Sequence, residues 1–171
     1  MIGLITQLST EGYTLTPEQY SKGSIRPEQD CTYDRYGVPV RMEKTIEKQA
    51  NIRNEPLICA FIYETIAKGS WLKISLCAKY KITGTLNVYL GLGVPSEIVA
   101  NSAYRAGNLA INGESSEEAY HYAFFKNNLI SSSWLYIDMA GCNKGDWIEF
   151  TAQPEIVLIK NKKIIQQLSS E

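Results

Sequence analysis

The chain has 171 residues, a formal net charge of −1 and a pI near 5.9, and 20% of its residues are charged. This balance excludes a general electrostatic field for nucleic acid or an anionic membrane. No run approaches the roughly 18 to 20 apolar residues that cross a bilayer, and residues 1–8 lack the basic region of a signal peptide, so synthesis in the cytosol is expected.

Residues 1–56 differ in composition from the rest of the chain. They hold four of the six prolines, and their apolar residues are too sparse to build a core. They nevertheless carry more aromatic residues than a disordered linker normally does. We therefore predict an extended N-terminal arm that becomes ordered by docking against a partner. The tyrosines expected to make the docking contacts are Tyr13, Tyr20, Tyr33 and Tyr36.

Two short stretches of this arm have local structure of their own. Thr16–Tyr20 has Thr at an N-cap position and Pro at the first helical position, which favours one helical turn. Residues 42–51 have a helical composition, but a strand or coil fits them equally well.

From Leu57 onward the hydrophobic pattern repeats every two residues. In 71–80 apolar residues alternate with polar ones, which predicts a half-buried antiparallel strand. The segment Thr83-Gly84-Thr85 is predicted to be a turn, and 86–92 a second strand that completes a hairpin. Residues 57–66 form another candidate strand, and their lack of clean alternation predicts burial on both faces.

The second half of the chain predicts further short strands. Residues 95–118 are rich in turn formers and are expected to be a long loop with a short strand at 109–111. The later strand candidates are 119–125, 134–140, 147–151, and 156–159 paired with 163–168. Short strands without a long helical period predict an all-β fold, an antiparallel β-sandwich of jelly-roll type over residues 57–171.

The motifs that nucleophilic and phosphate chemistry require are missing. The one histidine, His121, lies on a predicted strand and faces away from Tyr120 and Tyr122. No serine stands in a nucleophile elbow, and the glycines 91 and 93 lack the third glycine of a dinucleotide loop. We therefore predict that the protein is not an enzyme. A widely separated carboxylate pair is left open, with Asp138 as its best candidate.

Metal and cofactor sites are not predicted. The four cysteines are scattered rather than clustered at ligand spacings, and Cys59 and Cys77 lie in apolar runs typical of buried free thiols. The segment 141–146 has too few carboxylates for a calcium loop, and Lys144 opposes a cation there.

Aromatic residues on predicted strands indicate a glycan site. Trp134, Tyr136 and Asp138 share one strand face at a spacing of two, and Trp147 lies with Glu149 on another strand. If these side chains face outward, they offer the aromatic and polar groups that sugars need. The alternative is that Trp134 and Trp147 pack in the core or at its edge. A small basic turn, Lys160, Lys162 and Lys163, is more simply a solvated tip than a nucleic-acid site.

The order of these strands resembles a known group of folds. A strand at 71–80, a glycine-bearing turn, 86–93, and later 134–139 and 145–151 resemble the jelly-roll domains of phage fibre and capsid-decoration proteins. Those domains are similar to carbohydrate-binding-module sandwiches. The resemblance covers residues 57–160 and transfers no ligand motif.

The resemblance implies a non-enzymatic virion structural protein, such as a phage head-fibre, capsid-decoration or tail component. Such proteins use extended arms to lock onto neighbours, so the arm is expected to dock on a capsid or on sister subunits of a homo-oligomer. The location expected is the virion, after synthesis in the host cytoplasm. The alternative is a carbohydrate-binding module that recognises glycans through exposed Trp and Tyr, and a receptor-binding virion protein would satisfy both.

Overall fold

The computed structural model describes residues 12–14, 31–45, 56–62, 66–92, 105–128 and 133–170. Within these ranges the chain forms nine antiparallel strands and one helix, which confirms the predicted all-β class. No helix within these ranges is long and apolar enough to span a membrane. The elements are β1 (Gly12–Thr14), β2 (Cys31–Tyr33), β3 (Pro39–Glu43), β4 (Leu57–Phe61), β5 (Trp71–Leu92), β6 (Arg105–Lys126), β7 (Ser133–Asp138), β8 (Trp147–Phe150), β9 (Glu155–Leu158) and α1 (Lys162–Ser169).

Strand β5 is shared by both layers of the sandwich. Its first half pairs with β9 over residues 72–75 and with β8 over residues 78–81. Its second half pairs with β7 over residues 87–92, and β4 continues that layer beyond β7. In the first layer β3 adds to β8, β2 adds to β3, and β1 adds to β9.

One apolar core lies between the two layers. The even-numbered residues of β5 face it along the whole strand, so the period of two seen in the sequence is the period of burial. Residues from the second layer pack against those from the first. The main members of this core are Leu72, Ile74, Leu76, Leu86, Val88, Leu90, Ile58, Leu135, Ile137, Ile148 and Ile156.

The predicted hairpin within 71–92 is wrong, because β5 runs through residues 83–85 without turning back. The register against β6 shifts there, from Ile82 opposite Gly113 to Leu86 opposite Ile111, so the extra residues form a bulge. The carboxylate of Asp146 accepts the backbone N–H of Thr83 and of Gly84, at 2.9 and 3.0 Å. These two bonds satisfy backbone N–H groups of the bulge, so the chain does not need a reversing turn to satisfy them.

The predicted long loop at 95–118 is also wrong over its described part. Residues 105–118 belong to β6, which pairs with β5 along its length and with no other described strand. Polar residues are tolerated there because an edge strand needs only one apolar face. Gly107 has a φ of 70°, and a side chain there would collide with the ring of Phe125.

Residues 163–168 form a helix, α1, rather than the strand expected to pair with 156–159. The side chain of Asn161 accepts the backbone N–H of Lys163 and of Ile164, which caps the helix at its start. Ile164 then packs with Val157 and Ile159 in a small second core. The cap and this apolar contact together stabilise the helix.

The arm prediction is only partly matched by the described residues. Strand β3 pairs with β8, and its Met42, together with Val38 just before it, lies in the central core. The predicted boundary at residue 57 therefore does not separate the described part of the arm from the sheet. The predicted helical turn at 16–20 and most of the 42–51 segment lie outside the described residues.

Candidate functional site

The predicted glycan site on β7 faces inward. Trp134, Tyr136 and Asp138 do share a strand face, but Tyr136 is 0% exposed and Asp138 is 4% exposed. The Tyr136 ring stacks on that of Tyr89, with centroids 5.3 Å apart and planes 16° apart. Trp134 packs at the edge of the same cluster. The expectation that this face points outward is wrong for Tyr136 and Asp138, because both faces of β7 are covered.

Asp138 holds the end of β7 in place. Its Oδ2 accepts the hydroxyl of Tyr89 at 2.7 Å, and its Oδ1 accepts the backbone N–H of Ala140 at 2.8 Å. Both carboxylate oxygens are thus engaged in the interior, which leaves this candidate catalytic acid no access to a substrate. The described residues contain no group of three or more His, Cys, Asp or Glu able to hold a metal ion.

Burial also explains the chemistry of the neighbouring tyrosine. Removal from water raises the pKa of Tyr136 far above its ordinary value, with a further contribution from Cys59. Its hydroxyl is buried and has no hydrogen-bond partner among the residues that the structure describes.

Trp147 lies on the outer side of the first layer, as the sequence suggested it could. It is half-buried, and the guanidinium of Arg41 lies 4.8 Å from its ring centroid. Arg41 also forms an ion pair with Glu43 at 2.6 Å. Trp147 is therefore the one predicted site residue that borders an open, polar surface.

Two exposed aromatic side chains lie on the same outer side, on strand β6. Tyr120 and Tyr122 are each 52% exposed, and their ring centroids are 5.6 Å apart at an interplanar angle of 33°. Phe124 continues the row, with its ring 5.9 Å from Tyr122 and nearly perpendicular to it. We call Tyr120, Tyr122 and Phe124 the tyrosine face.

Polar residues of β5 lie directly beside the tyrosine face. Lys73, Ser75 and Cys77 stand opposite Phe124, Tyr122 and Tyr120 in the register of β5 and β6. On the other side of β5, Glu155 stands opposite Ser75. The aromatic row is thus bordered by an ammonium, a hydroxyl, a thiol and a carboxylate.

Cys77 is half-buried rather than buried as predicted, and it faces this surface. Burial raises the pKa of its thiol, and so do a hydrogen bond with Glu118 and the charges of Glu118 and Glu155. The thiol therefore stays protonated and unreactive near neutral pH.

A polar groove continues the surface toward Trp147. It has a volume of about 550 Å³ and is lined by Lys81, Ile82, Thr83, Asn112, Gly113 and Glu114. Lys81 stands opposite Glu114 on one side and Trp147 on the other. The tyrosine face, the groove and Trp147 are therefore parts of one surface, the outer face of the first layer.

His121 lies on the opposite side of β6, as predicted. Its Nε2 is 2.9 Å from the hydroxyl of Tyr80, and burial lowers its pKa. Its neutral form is therefore favoured, and it does not reach the tyrosine face.

The predicted docking tyrosines are only partly described. Tyr13 lies in β1 and Tyr20 lies outside the described residues. Tyr33 is half-buried in β2, whereas Tyr36 is 61% exposed in the following turn, beneath the guanidinium of Arg35. Their docking role stays a prediction.

The sequence itself carries a signal for the tyrosine face. Tyr120 and Tyr122 alternate with Ala119, His121 and Ala123, and the facing strand β5 has a polar outer side. Aromatic residues that stand opposite the polar face of a neighbouring strand are expected to be exposed. The aromatic residues at 134 and 136 lie on a strand with apolar neighbours, so their exposure is less strongly indicated.

Comparison with known proteins places the fold. The CBM36-1 domain of a multidomain xylanase from the hindgut metagenome of Trinervitermes trinervoides superposes with a TM-score of 0.52 at 11% identity, covering 88% of this chain and 99% of that one. The fold is that of a carbohydrate-binding-module β-sandwich. No protein-family model matches the sequence, and no curated protein is significantly similar to it.

Two further structures are related less closely. The C-terminal CBM6 of LamC from Zobellia galactanivorans has a TM-score of 0.48 at 10% identity, covering 85% of this chain and 98% of that one. The module CBM6cm-2 from Cellvibrio mixtus lichenase 5A has a TM-score of 0.45 at 18% identity, covering 86% and 98%. The sandwich resemblance is supported by the superposition at a TM-score of 0.52. None of the three structures supports the link to phage fibres.

Proposed function

We propose that the protein is a non-catalytic carbohydrate-binding domain and that its outer face binds a glycan chain. The observation that carries the proposal is the tyrosine face, where two half-exposed tyrosines stand in a row on an open sheet surface. Exposed aromatic groups of this kind mark binding surfaces. The apolar C–H faces of sugar rings pack on aromatic rings, while the tyrosine hydroxyls stay solvated.

The polar surroundings supply what the hydroxyl groups of a sugar require. Glu118 and Glu155 lie near the tyrosines, and the groove adds Thr83 and Asn112. Carboxylates accept hydrogen bonds, amides both donate and accept, and hydroxyls do both. A surface of this composition can form hydrogen bonds with the hydroxyl groups of a sugar, and binding does not leave a charged side chain buried without a partner.

The surface is long enough for more than one sugar residue. Cys77, opposite Tyr120, and Lys81, beside the groove, are four residues apart on β5, which is roughly 13 Å along a strand. A chain of several sugars is therefore a better fit than a monosaccharide.

The fold comparison supports the same function and suggests the first ligand. The neighbour with the highest similarity reported above is a domain of a multidomain xylanase. Xylan is therefore the first polysaccharide to test. The virion role predicted from the sequence gains no support from these comparisons, and virion location stays a prediction.

The test is affinity electrophoresis of the full chain in gels that contain xylan, β-glucan, mannan, pectin or alginate. We expect at least one polymer to retard the wild-type protein. Replacing both Tyr120 and Tyr122 with Ala should weaken that retardation at least tenfold in Kd, about 1.4 kcal/mol, because the stacking surface is lost.

The matched control is Tyr36→Ala, which removes an even more exposed tyrosine away from the outer face. It should migrate like the wild type in every gel. The proposal is wrong if no polymer retards the wild type, or if the double variant is retarded as strongly as the wild type.

A further inference from the structure

Lys73 is an unusual residue of the outer face. Its side chain is only 8% exposed, yet its Nζ lies 5.1 Å from the ring centroid of Tyr120 and 4.9 Å from that of Tyr122. Most of the residue is buried, while its ammonium lies close to the two exposed rings.

The neighbours of Lys73 distinguish it from the other lysines of β5. Lys79 stands opposite Glu149, and Lys81 stands opposite Glu114. Lys73 stands opposite Phe124 on one side and Val157 on the other. No hydrogen bond or ion pair joins it to the residues that the structure describes.

A buried ammonium without an anionic partner is incompletely stabilised. Attraction to the two tyrosine rings offsets part of the lost hydration, but rings accept no strong hydrogen bonds from the three N–H donors. Burial of a charge is tolerated best when a counter-charge completes it. A ligand that brings an anion to the tyrosine face would supply that counter-charge.

We infer that the outer face binds an acidic glycan, one in which a carboxylate or sulfate group is attached to the sugar stacked on Tyr120 and Tyr122. The Lys73 ammonium is the partner of that anion. This inference rests on the proposed function and names its ligand class.

Two nearby carboxylates restrict where the anion can lie. Glu118 and Glu155 both act on Cys77, beside Tyr120. Glu118 repels an anion at the Tyr120 end of the row, and Glu155, opposite Ser75, repels one nearer its middle. The acidic group is therefore accepted only where Lys73 outweighs them. The face should therefore discriminate an acidic sugar from a polymer of uniformly high negative charge.

The experiment compares acidic polymers with neutral forms of the same polymers, using the full chain. Affinity gels would contain glucuronoxylan or its carboxyl-reduced form, and chondroitin sulfate or its desulfated form. The variant is Lys73→Met, which keeps the buried stem. The control is Lys79→Met, another lysine of the same face.

We expect the wild type to bind one acidic polymer about tenfold more tightly than its neutral form, since a charge-assisted hydrogen bond is worth roughly that factor. Lys73→Met should abolish this ratio, because it removes the cation that pairs with the anion. Lys79→Met should keep it. A tenfold ratio for glucuronoxylan and its carboxyl-reduced form identifies the anion as a carboxylate. A tenfold ratio for chondroitin sulfate and its desulfated form identifies it as a sulfate.

The opposing results are distinct. Equal binding of acidic and neutral forms by the wild type, or an unchanged ratio in Lys73→Met, overturns the inference and leaves the glycan-binding function standing. If no polymer is retained at all, both are overturned. Should Lys73→Met fail to fold, the salt dependence of the wild type decides, because an ionic preference must fall between 50 and 500 mM NaCl. A preference that persists at 500 mM overturns the inference.

Discussion

The hydroxyl groups of the stacked tyrosines Tyr89 and Tyr136 are both buried, but they differ in hydrogen bonding. That of Tyr89 donates to Asp138 at 2.7 Å. That of Tyr136 is buried and meets no hydrogen-bond partner in the described part of the chain. A buried polar group without a partner lowers stability, whereas a hydrogen bond to a charged group adds to it.

This difference makes a prediction about two matched substitutions. Tyr136→Phe should leave the free energy of unfolding unchanged or raise it by up to about 1 kcal/mol, because it removes an unsatisfied group. Tyr89→Phe should lower it by about 2 kcal/mol, because a buried carboxylate oxygen loses its donor. Urea unfolding at pH 7 measures both, as a shift of the midpoint at constant slope.

Each variant serves as the control for the other, since both remove one oxygen from the same stacked pair. Equal losses of stability would contradict the account. So would a loss in Tyr136→Phe alone.

The same residues show why the site could not be located from sequence by alternation alone. The pattern at 134–139 correctly placed Leu135 and Ile137 on one face and Trp134 and Tyr136 on the other. It could not show that the second face is also buried. On that face Tyr136 packs with Leu57, Cys59 and Tyr89, which lie on other strands and are distant in sequence.

At the scale of elements, the bulge in β5 depends on one acidic residue. The carboxylate of Asp146 accepts N–H groups from Thr83, Gly84 and Asn143, and the hydroxyl of Thr83 at 2.7 Å. Burial by itself would raise the pKa of Asp146. The hydrogen bonds from Gly84, Asn143 and Thr83 outweigh it, and the pKa lies below its ordinary value.

The sign of the pH dependence follows from that lowered pKa. Stability from a carboxylate with a lowered folded pKa is fully present above the unfolded value, about 3.9, and is lost as pH falls through the folded value. Asp146→Asn should therefore be less stable than the wild type by about 2 kcal/mol at pH 7. The difference should shrink below about pH 4. Urea unfolding at pH 7, 5, 4 and 3 measures it.

Glu149→Gln is the matched control, because Glu149 is an exposed carboxylate on the adjacent strand β8. Its stability should stay within about 0.5 kcal/mol of the wild type at every pH. A difference for Asp146→Asn that does not change with pH would show that the charge is not what holds the bulge.

The bulge also explains which elements were predictable. Alternation located 71–80 and 86–92 correctly, because burial imposes the period of two on any strand. It misassigned Thr83-Gly84-Thr85 as a turn, because the acceptors for its N–H groups are the carboxylate of Asp146 and the carbonyl of Gly141, which are distant in sequence. The helix at 162–169 was missed since its apolar contact is a second, small core that no local pattern shows.

At the scale of the whole molecule, the long β5–β6 ribbon carries the surface proposed to bind a glycan. Its inner side supplies the core of both layers, and its outer side in the first layer carries Lys73, Tyr120 and Tyr122. The sandwich was predictable from the number and length of the strands. The sequence predicted that exposed aromatic residues on a strand would bind sugars. It placed them on β7 and β8, whereas the exposed aromatic row lies on β6.

The most direct test of the glycan-binding account is an NMR titration of the isotope-labelled full chain with the oligosaccharide of whichever polymer retards it most. If the outer face binds the glycan, the amide shifts concentrate at outer-face positions of β5 and β6, residues 73–81 and 114–124. Tyr122→Ala then removes these shifts. Shifts confined to the β7–β4 layer or to the turn at Tyr36 would contradict it.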